Sequence, residues 1–312
     1  MPRIPFILVT GFIGSGKTTF LKRLLDRYSS EGKIGIIQNE FAPGSVDGTD
    51  LRQSGMPFEI LEVNNGSVFC VCLLGSFIPS LGRFVEEHRP DALILEASGF
   101  SDPISIGEML QAPELSDRLY LSHIWCLVDA SSYEKLARNL PRVRHQVRLA
   151  DTVIINKIDL GKDKLEDIRH WIRDLNPYAA VETASYCDIS LKENLFAGAA
   201  DPVAFRVLET SATPGGSGRP DIGTYVIKTT SPISSGGLKK FLDEVSPGSL
   251  RIKGFVKLDT GGMMAVQSCY GDTKMEPLAG YQGPTELIGI GPGINSRTFA
   301  DRFRYFRKLS GF

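Results

Sequence analysis

The chain has 312 residues, a formal net charge of −1, 42% hydrophobic and 23% charged residues. That length is about twice a typical domain, so it predicts two domains with enough apolar material for full cores. The balanced, interspersed charge excludes the basic footprint of a nucleic-acid binder, and no apolar run is long enough to span a membrane. Five cysteines, an odd number, form no disulfide framework, so a reducing cytosol is the expected compartment.

In chain order, residues 4–10 (IPFILVT) read as a buried strand. Residues 17–30 follow as a helix, with Phe20, Leu21, Leu24, Leu25 and Tyr28 at helical spacing. Further strands are predicted at 33–38, 58–63, 91–96, 123–129, 152–156 and 179–183. Helices are predicted at 76–88, 104–120, 131–140, 163–175 and 191–197. Apolar strands separated by helices indicate an α/β fold with a largely parallel sheet covered on both faces. Residues 209–221, rich in Gly, Pro, Ser and Thr, read as a linker. Beyond it the style changes. Strands at 222–230, 250–258, 262–269 and 285–290, with helices at 235–245 and from about 295, predict a smaller α+β domain. The expected division is therefore 1–208, a linker at 209–221, and 222–312.

Residues 10–19 read TGFIGSGKTT, a Gly-x-x-x-x-Gly-Lys-Thr loop between a strand and a helix. Gly11, Gly14 and Gly16 let the backbone wrap around an anion, with Ser15 and Thr19 completing the stretch expected around the phosphates. Lys17 is expected to reach the β- and γ-phosphates, and Thr18 to coordinate Mg²⁺. In DALILEASG at 91–99, Glu96 ends a buried run as the acid expected to hold Mg²⁺, usually through water, and Gly99 can offer its amide to the γ-phosphate.

The base is read from TVIINKID at 152–159, a strand ending in Asn-Lys-x-Asp. Guanine presents N1–H and N2–H₂ side by side, and one carboxylate accepts both, the role expected of Asp159. Lys157 would lie along the base and Asn156 would tie the loops together. Ala184 and Ser185 after the next strand supply a second base-side element. The bland alternative makes Asn156 and Asp159 a helix-capping turn.

These motifs together, with QNEF at 38–41, the asparagine pair and CVC within 64–72, and weaker RIKGF (251–255) and IGIG (288–291) segments, resemble the CobW family. The resemblance implies a SIMIBI-type P-loop G domain that hydrolyses GTP to GDP with Mg²⁺. It also implies a metal-handling role, as a metallochaperone or metal-insertion protein serving a client metalloprotein, often with zinc or, in one branch, cobalt. The family's metal motif is Cys-x-Cys-Cys. Here only Cys70 and Cys72 stand in NNGSVFCVCLL, in a loop one residue longer than usual. The family's histidine-rich stretch and a second acid after the Asn-Glu-Phe segment are also missing. Two thiolates can hold a soft or borderline divalent ion such as Zn²⁺, with Glu40 as the best further protein ligand and Asp47 or water completing the shell. Residues 39–50 are expected to move with the nucleotide, and either Glu40 or Asp47 would orient the attacking water or hold Mg²⁺. Cys126, Cys187 and Cys269 read as core or incidental. Two rivals remain: a P-loop small-molecule kinase, which NKID opposes, and a GTP-dependent scaffold whose cysteines only pack. The oligomeric state is open.

Overall fold

The computed structural model describes residues 3–39, 58–63, 71–99, 101–133, 141–177, 179–191, 195–196, 222–278, 283–292 and 294–309. The chain divides into two compact units, Met1–Ala212 and Thr213–Phe312. The expected linker at 209–221 lies outside the described residues.

In the first unit, β1 (Ile4–Gly11), β2 (Ile34–Asn39), β3 (Phe58–Val63), β4 (Ala92–Glu96), β5 (Leu119–Asp129), β6 (Thr152–Asn156) and β7 (Ala180–Thr183) form one sheet. Its order is β3-β2-β4-β1-β5-β6-β7, and every pairing is parallel. Parallel neighbours need crossovers, here supplied by helices. They are α1 (Lys17–Tyr28), α2 (Val71–His88), α3 (Pro103–Leu110), α4 (Pro113–Ser116), α5 (Pro141–Leu149) and α6 (Leu165–Leu175). Phe6–Val9, Leu93–Leu95 and Val153–Ile155 are buried at consecutive positions, as strands covered on both faces must be. The α1 stripe of Phe20, Leu21, Leu24, Leu25 and Tyr28 packs into one cluster with Ile7, Val9, Ile36 and Trp125. The Phe20 and Trp125 rings lie 5.0 Å apart. Because all seven strands run the same way, Gly11, Glu96, Asp129, Asn156 and Thr183 end on one edge of the sheet. Ligands of open α/β sheets bind at that edge.

Several expectations are corrected. The helix expected at 104–120 is two, α3 and α4, because Pro113 cannot continue the first, and β5 already begins at Leu119. The helix expected from 76 begins at Val71, with Pro79 inside it. Helix α5 was not expected at all: PRVRHQVRL has too few apolar residues to show a period. At the expected helix 191–197, Leu195 and Phe196 lie in a turn, and 192–194 and 197 are outside the described residues. Most of the helix expected at 131–140 is likewise outside them.

The second unit is a five-stranded antiparallel sheet, order β11-β10-β9-β12-β8. Its strands are β8 (Gly223–Thr229), β9 (Arg251–Lys257), β10 (Met263–Cys269), β11 (Asp272–Leu278) and β12 (Thr285–Gly291). Helices α7 (Ser235–Val245) and α8 (Asp301–Leu309) contribute Leu238, Phe241, Leu242, Phe303 and Phe306 to its core. Phe241 meets Phe303 edge-on at 5.3 Å. Strand β11 was missed because DTKMEPL is polar and contains Pro277, and both suit the edge strand it is. No described helix is long and apolar enough to cross a membrane.

Candidate functional site

The loop between β1 and α1 owes its shape to its glycines. Gly11, Gly14 and Gly16 take φ values of 136°, 77° and 104°. A Cβ on Gly11 would lie 2.4 Å from the Leu127 carbonyl oxygen, so a side chain there is excluded by space as well as by backbone. Gly16 caps α1, and among the described residues no side chain caps its first amides. Those N–H groups and the positive end of the helix dipole therefore face the loop, a receptacle for an anion. Among the described residues, Ser15 Oγ is buried beside Gly11 with no hydrogen-bond partner.

Lys17 is buried, and its Nζ donates to the Phe12 carbonyl across the loop at 3.1 Å. Burial pulls its pKa below the ordinary lysine value, and Glu96 and Cys126 oppose that only in part. Thr18 Oγ1 donates to Glu96 Oε1 at 2.7 Å, bringing the P-loop hydroxyl and the acid ending β4 together across 78 residues of sequence. A hydroxyl and a carboxylate side by side are hard oxygen donors, and that donor set fits Mg²⁺.

Beyond Glu96, the chain crosses the P-loop so closely that a Cβ on Gly99 would meet the Ile13 backbone nitrogen at 2.4 Å. Helix α5 holds this segment from behind. Gln146 Nε2 donates to the carbonyls of Gly99 (3.3 Å) and Ser101 (3.0 Å), and His145 Nδ1 lies 3.3 Å from Asp102 Oδ2.

On the other flank, Asn156 ends β6 buried, and its Nδ2 donates to the Ser15 carbonyl at 2.9 Å. A direct hydrogen bond thus ties the end of β6 to the loop between β1 and α1. Lys157 takes a left-handed φ of 59° and donates to Asp129 Oδ2 at 2.8 Å. Burial alone would raise the Asp129 pKa, but hydrogen bonds from Lys157 and Ser131 outweigh it and hold the carboxyl below its usual value. Asp159 is exposed, and Ser185 donates to its Oδ1 at 2.8 Å. The buried Ala184 carbonyl accepts from the Ile158 amide at 3.2 Å.

Lys17, Thr18, Glu96, Gly99, Asn156, Asp159 and Ala184 thus lie at or beyond the strand ends along one edge of the sheet. Glu40, Asp47 and Cys70 lie outside the described residues, and Cys72 stands in the first turn of α2. Among the described residues, no group of three or more His, Cys, Asp or Glu is placed to hold a metal ion. Gln146, His145 and Asp129 stand in no sequence motif. Cys187, core or incidental by its sequence, donates its backbone N–H to Asn156 Oδ1 at 2.9 Å. A polar residue on a short basic helix and an isolated cysteine carry no spacing signal.

The profile of the CobW/HypB/UreG nucleotide-binding domain matches residues 5–182. The chain is 30% identical over 186 residues to the zinc chaperone CobW of a Sinorhizobium species, covering 51% of this chain and 52% of that protein. It is 25% identical over 330 aligned positions to zinc-regulated GTPase metalloprotein activator 1 of Saccharomyces cerevisiae, covering 93% and 76%. The chain therefore spans about half the length of the first of these relatives. The crystal structure of Zn(II)-bound YjiA GTPase from E. coli superposes with a TM-score of 0.63 at 21% identity, covering 98% of this chain and all of that one, a likeness of fold. The profile match takes in the loop at the end of β1, Glu96 and Asn156 with its neighbours, on more than half of the residues, and the chain belongs to the CobW/HypB/UreG family.

Proposed function

We propose that this protein is a Mg²⁺-dependent GTP hydrolase that works as a metal-handling switch in the cytosol, with zinc as its cargo and a client metalloprotein as its recipient. The observation that carries the nucleotide reading is the hydrogen bond from Asn156 to the Ser15 carbonyl, which joins base-reading turn and phosphate loop in one site. The α1 amides and Lys17 bind the phosphates, with their oxygens taking the place of the Phe12 carbonyl as acceptor for Nζ. Thr18 and Glu96 would hold Mg²⁺, which offsets charge on the β- and γ-phosphates. Gly99, against Ile13, positions an amide for the γ-phosphate. Asp159, oriented by Ser185, accepts N1–H and N2–H₂ of guanine. Catalysis here is positioning and charge stabilisation, with no covalent intermediate on the protein. The metal reading is supported by the zinc chaperone relatives and by Cys70 and Cys72 following β3, a strand of the P-loop sheet.

The test is zinc affinity measured by competition with a chromogenic chelator. Zinc should bind about five- to 150-fold tighter with a non-hydrolysable GTP analogue and Mg²⁺ than with GDP, the range of typical allosteric coupling. Replacing both Cys70 and Cys72 by Ser should remove both the binding and the coupling. Equal affinities in the two nucleotide states would contradict the switch, and stoichiometric binding that survives the double substitution would contradict the site.

A further inference from the structure

Cys187 belongs to no nucleotide-binding motif, yet it meets both halves of the site. Its Sγ accepts from Asn156 Nδ2 at 3.1 Å and lies 3.4 Å from the Gly16 carbonyl oxygen, to which the S–H donates. We infer that Cys187 is a positioning residue of the guanine site: its thiol clamps the base-side loop 184–188 to the phosphate loop and so slows nucleotide release. This rests on the guanine reading of the same site.

Three further observations converge on the clamp. With Cys187 in place the Asn156 amide is fully engaged, its oxygen accepting from the Cys187 N–H and its nitrogen donating to Ser15 and to the thiol. The contact is closed, since a Cβ on Gly16 would lie 2.5 Å from Asn156 Nδ2 and 3.1 Å from Cys187 Sγ. The backbone is also held against its preference: Tyr186 and Cys187 are consecutive non-glycine residues at φ 53° and 58°. Such geometry persists only where the surroundings over-determine it.

The neighbours fix the rest of the loop. Ser185 holds Asp159, and Arg23 donates to the Tyr186 carbonyl at 2.8 Å and pairs with Asp188 at 2.9 Å. The chemistry suits a neutral thiol, which can accept from Asn156 and donate to Gly16 at once. Burial pushes Cys187 up to about 11, outweighing the charges of Arg23 and Lys157, so the donor proton is retained at neutral pH. A nucleotide spanning both loops must part them to leave.

The experiment measures release of a fluorescent GDP by stopped flow, with single-turnover GTP hydrolysis, on the wild type and three variants. Cys187→Ala should speed GDP release about tenfold, the loss of two net hydrogen bonds, with a smaller change in the single-turnover rate. Cys187→Ser, which keeps a donor and an acceptor, should restore slow release. Cys187→Gly accepts the left-handed backbone without strain yet lacks the thiol, so it should release GDP as fast as Cys187→Ala. Slow release in Cys187→Gly would show that only the backbone matters, and unchanged release in Cys187→Ala would show that the thiol does nothing; either overturns the clamp. A wild type that holds ADP as well as GDP would instead overturn the guanine reading, and the clamp with it.

Discussion

At the scale of single residues, Lys17 shows function set against stability. Its ammonium is buried beside one carbonyl, and desolvation leaves its pKa below the ordinary 10.5. Between the folded value and 10.5 the unfolded chain binds the extra proton, so stability rises with pH through that window. At neutral pH the fold carries the cost of a charge kept out of water for a phosphate to use. Lys17→Met keeps the length of the side chain and removes that cost. Its thermal midpoint should rise while GTP turnover is lost, as scanning calorimetry and phosphate release would read. A lower midpoint together with wild-type turnover would contradict both roles given to the ammonium. This residue was legible in sequence because Gly-Lys-Thr between a strand and a helix has few other readings. Cys187 was not, because its meaning lies in a contact with Asn156, 31 residues away, and no local pattern announces it.

At the scale of elements, the segment following β4 is held from both sides, by the P-loop backbone in front and by α5 behind. At Gly99 a glycine is required by space, since an added Cβ would lie 2.4 Å from the backbone nitrogen and 3.0 Å from the Cα of Ile13. Gly99→Ala must therefore displace the P-loop or the segment itself. Misplacement on that scale should lower the hydrolysis rate by about a hundredfold. GDP affinity should change by less than about threefold, because the proposed base contacts lie on the other flank. Gly236→Ala in α7, with nothing within 4 Å of the added Cβ, is the control and should leave the rate unchanged. A Gly99→Ala protein hydrolysing GTP at the wild-type rate would remove this segment from the catalytic account. The strands were legible because parallel strands buried on both faces are apolar at every position. The latch helix α5 was not, because it is short and basic and only a few of its residues meet the core.

At the scale of the whole chain, two units of different style follow one another, a parallel sheet with crossover helices and an antiparallel sheet with its helices packed on one core. The change of style was legible in the sequence, where alternation of strand and helix gives way to runs of strands after residue 221. The polar edge strand β11 was not, because half-exposed edge strands lack the apolar period that marks the others. The proposed site belongs to the first unit, where the ends of β1, β4, β5, β6 and β7 meet at one edge of the sheet. Whether the base is guanine decides the rest of the account, and Asp159 is where it is decided. An amide at that position can still accept from N1–H but donates where the carboxylate accepted, so it matches the C2 carbonyl of xanthine. The decisive measurement is kcat/KM for GTP, XTP and ATP on the wild type and on Asp159→Asn. The account predicts that the wild type favours GTP over both others by about a hundredfold or more, and that Asp159→Asn reverses the order of GTP and XTP. Equal use of ATP and GTP by the wild type, or a variant that still prefers GTP, would contradict it.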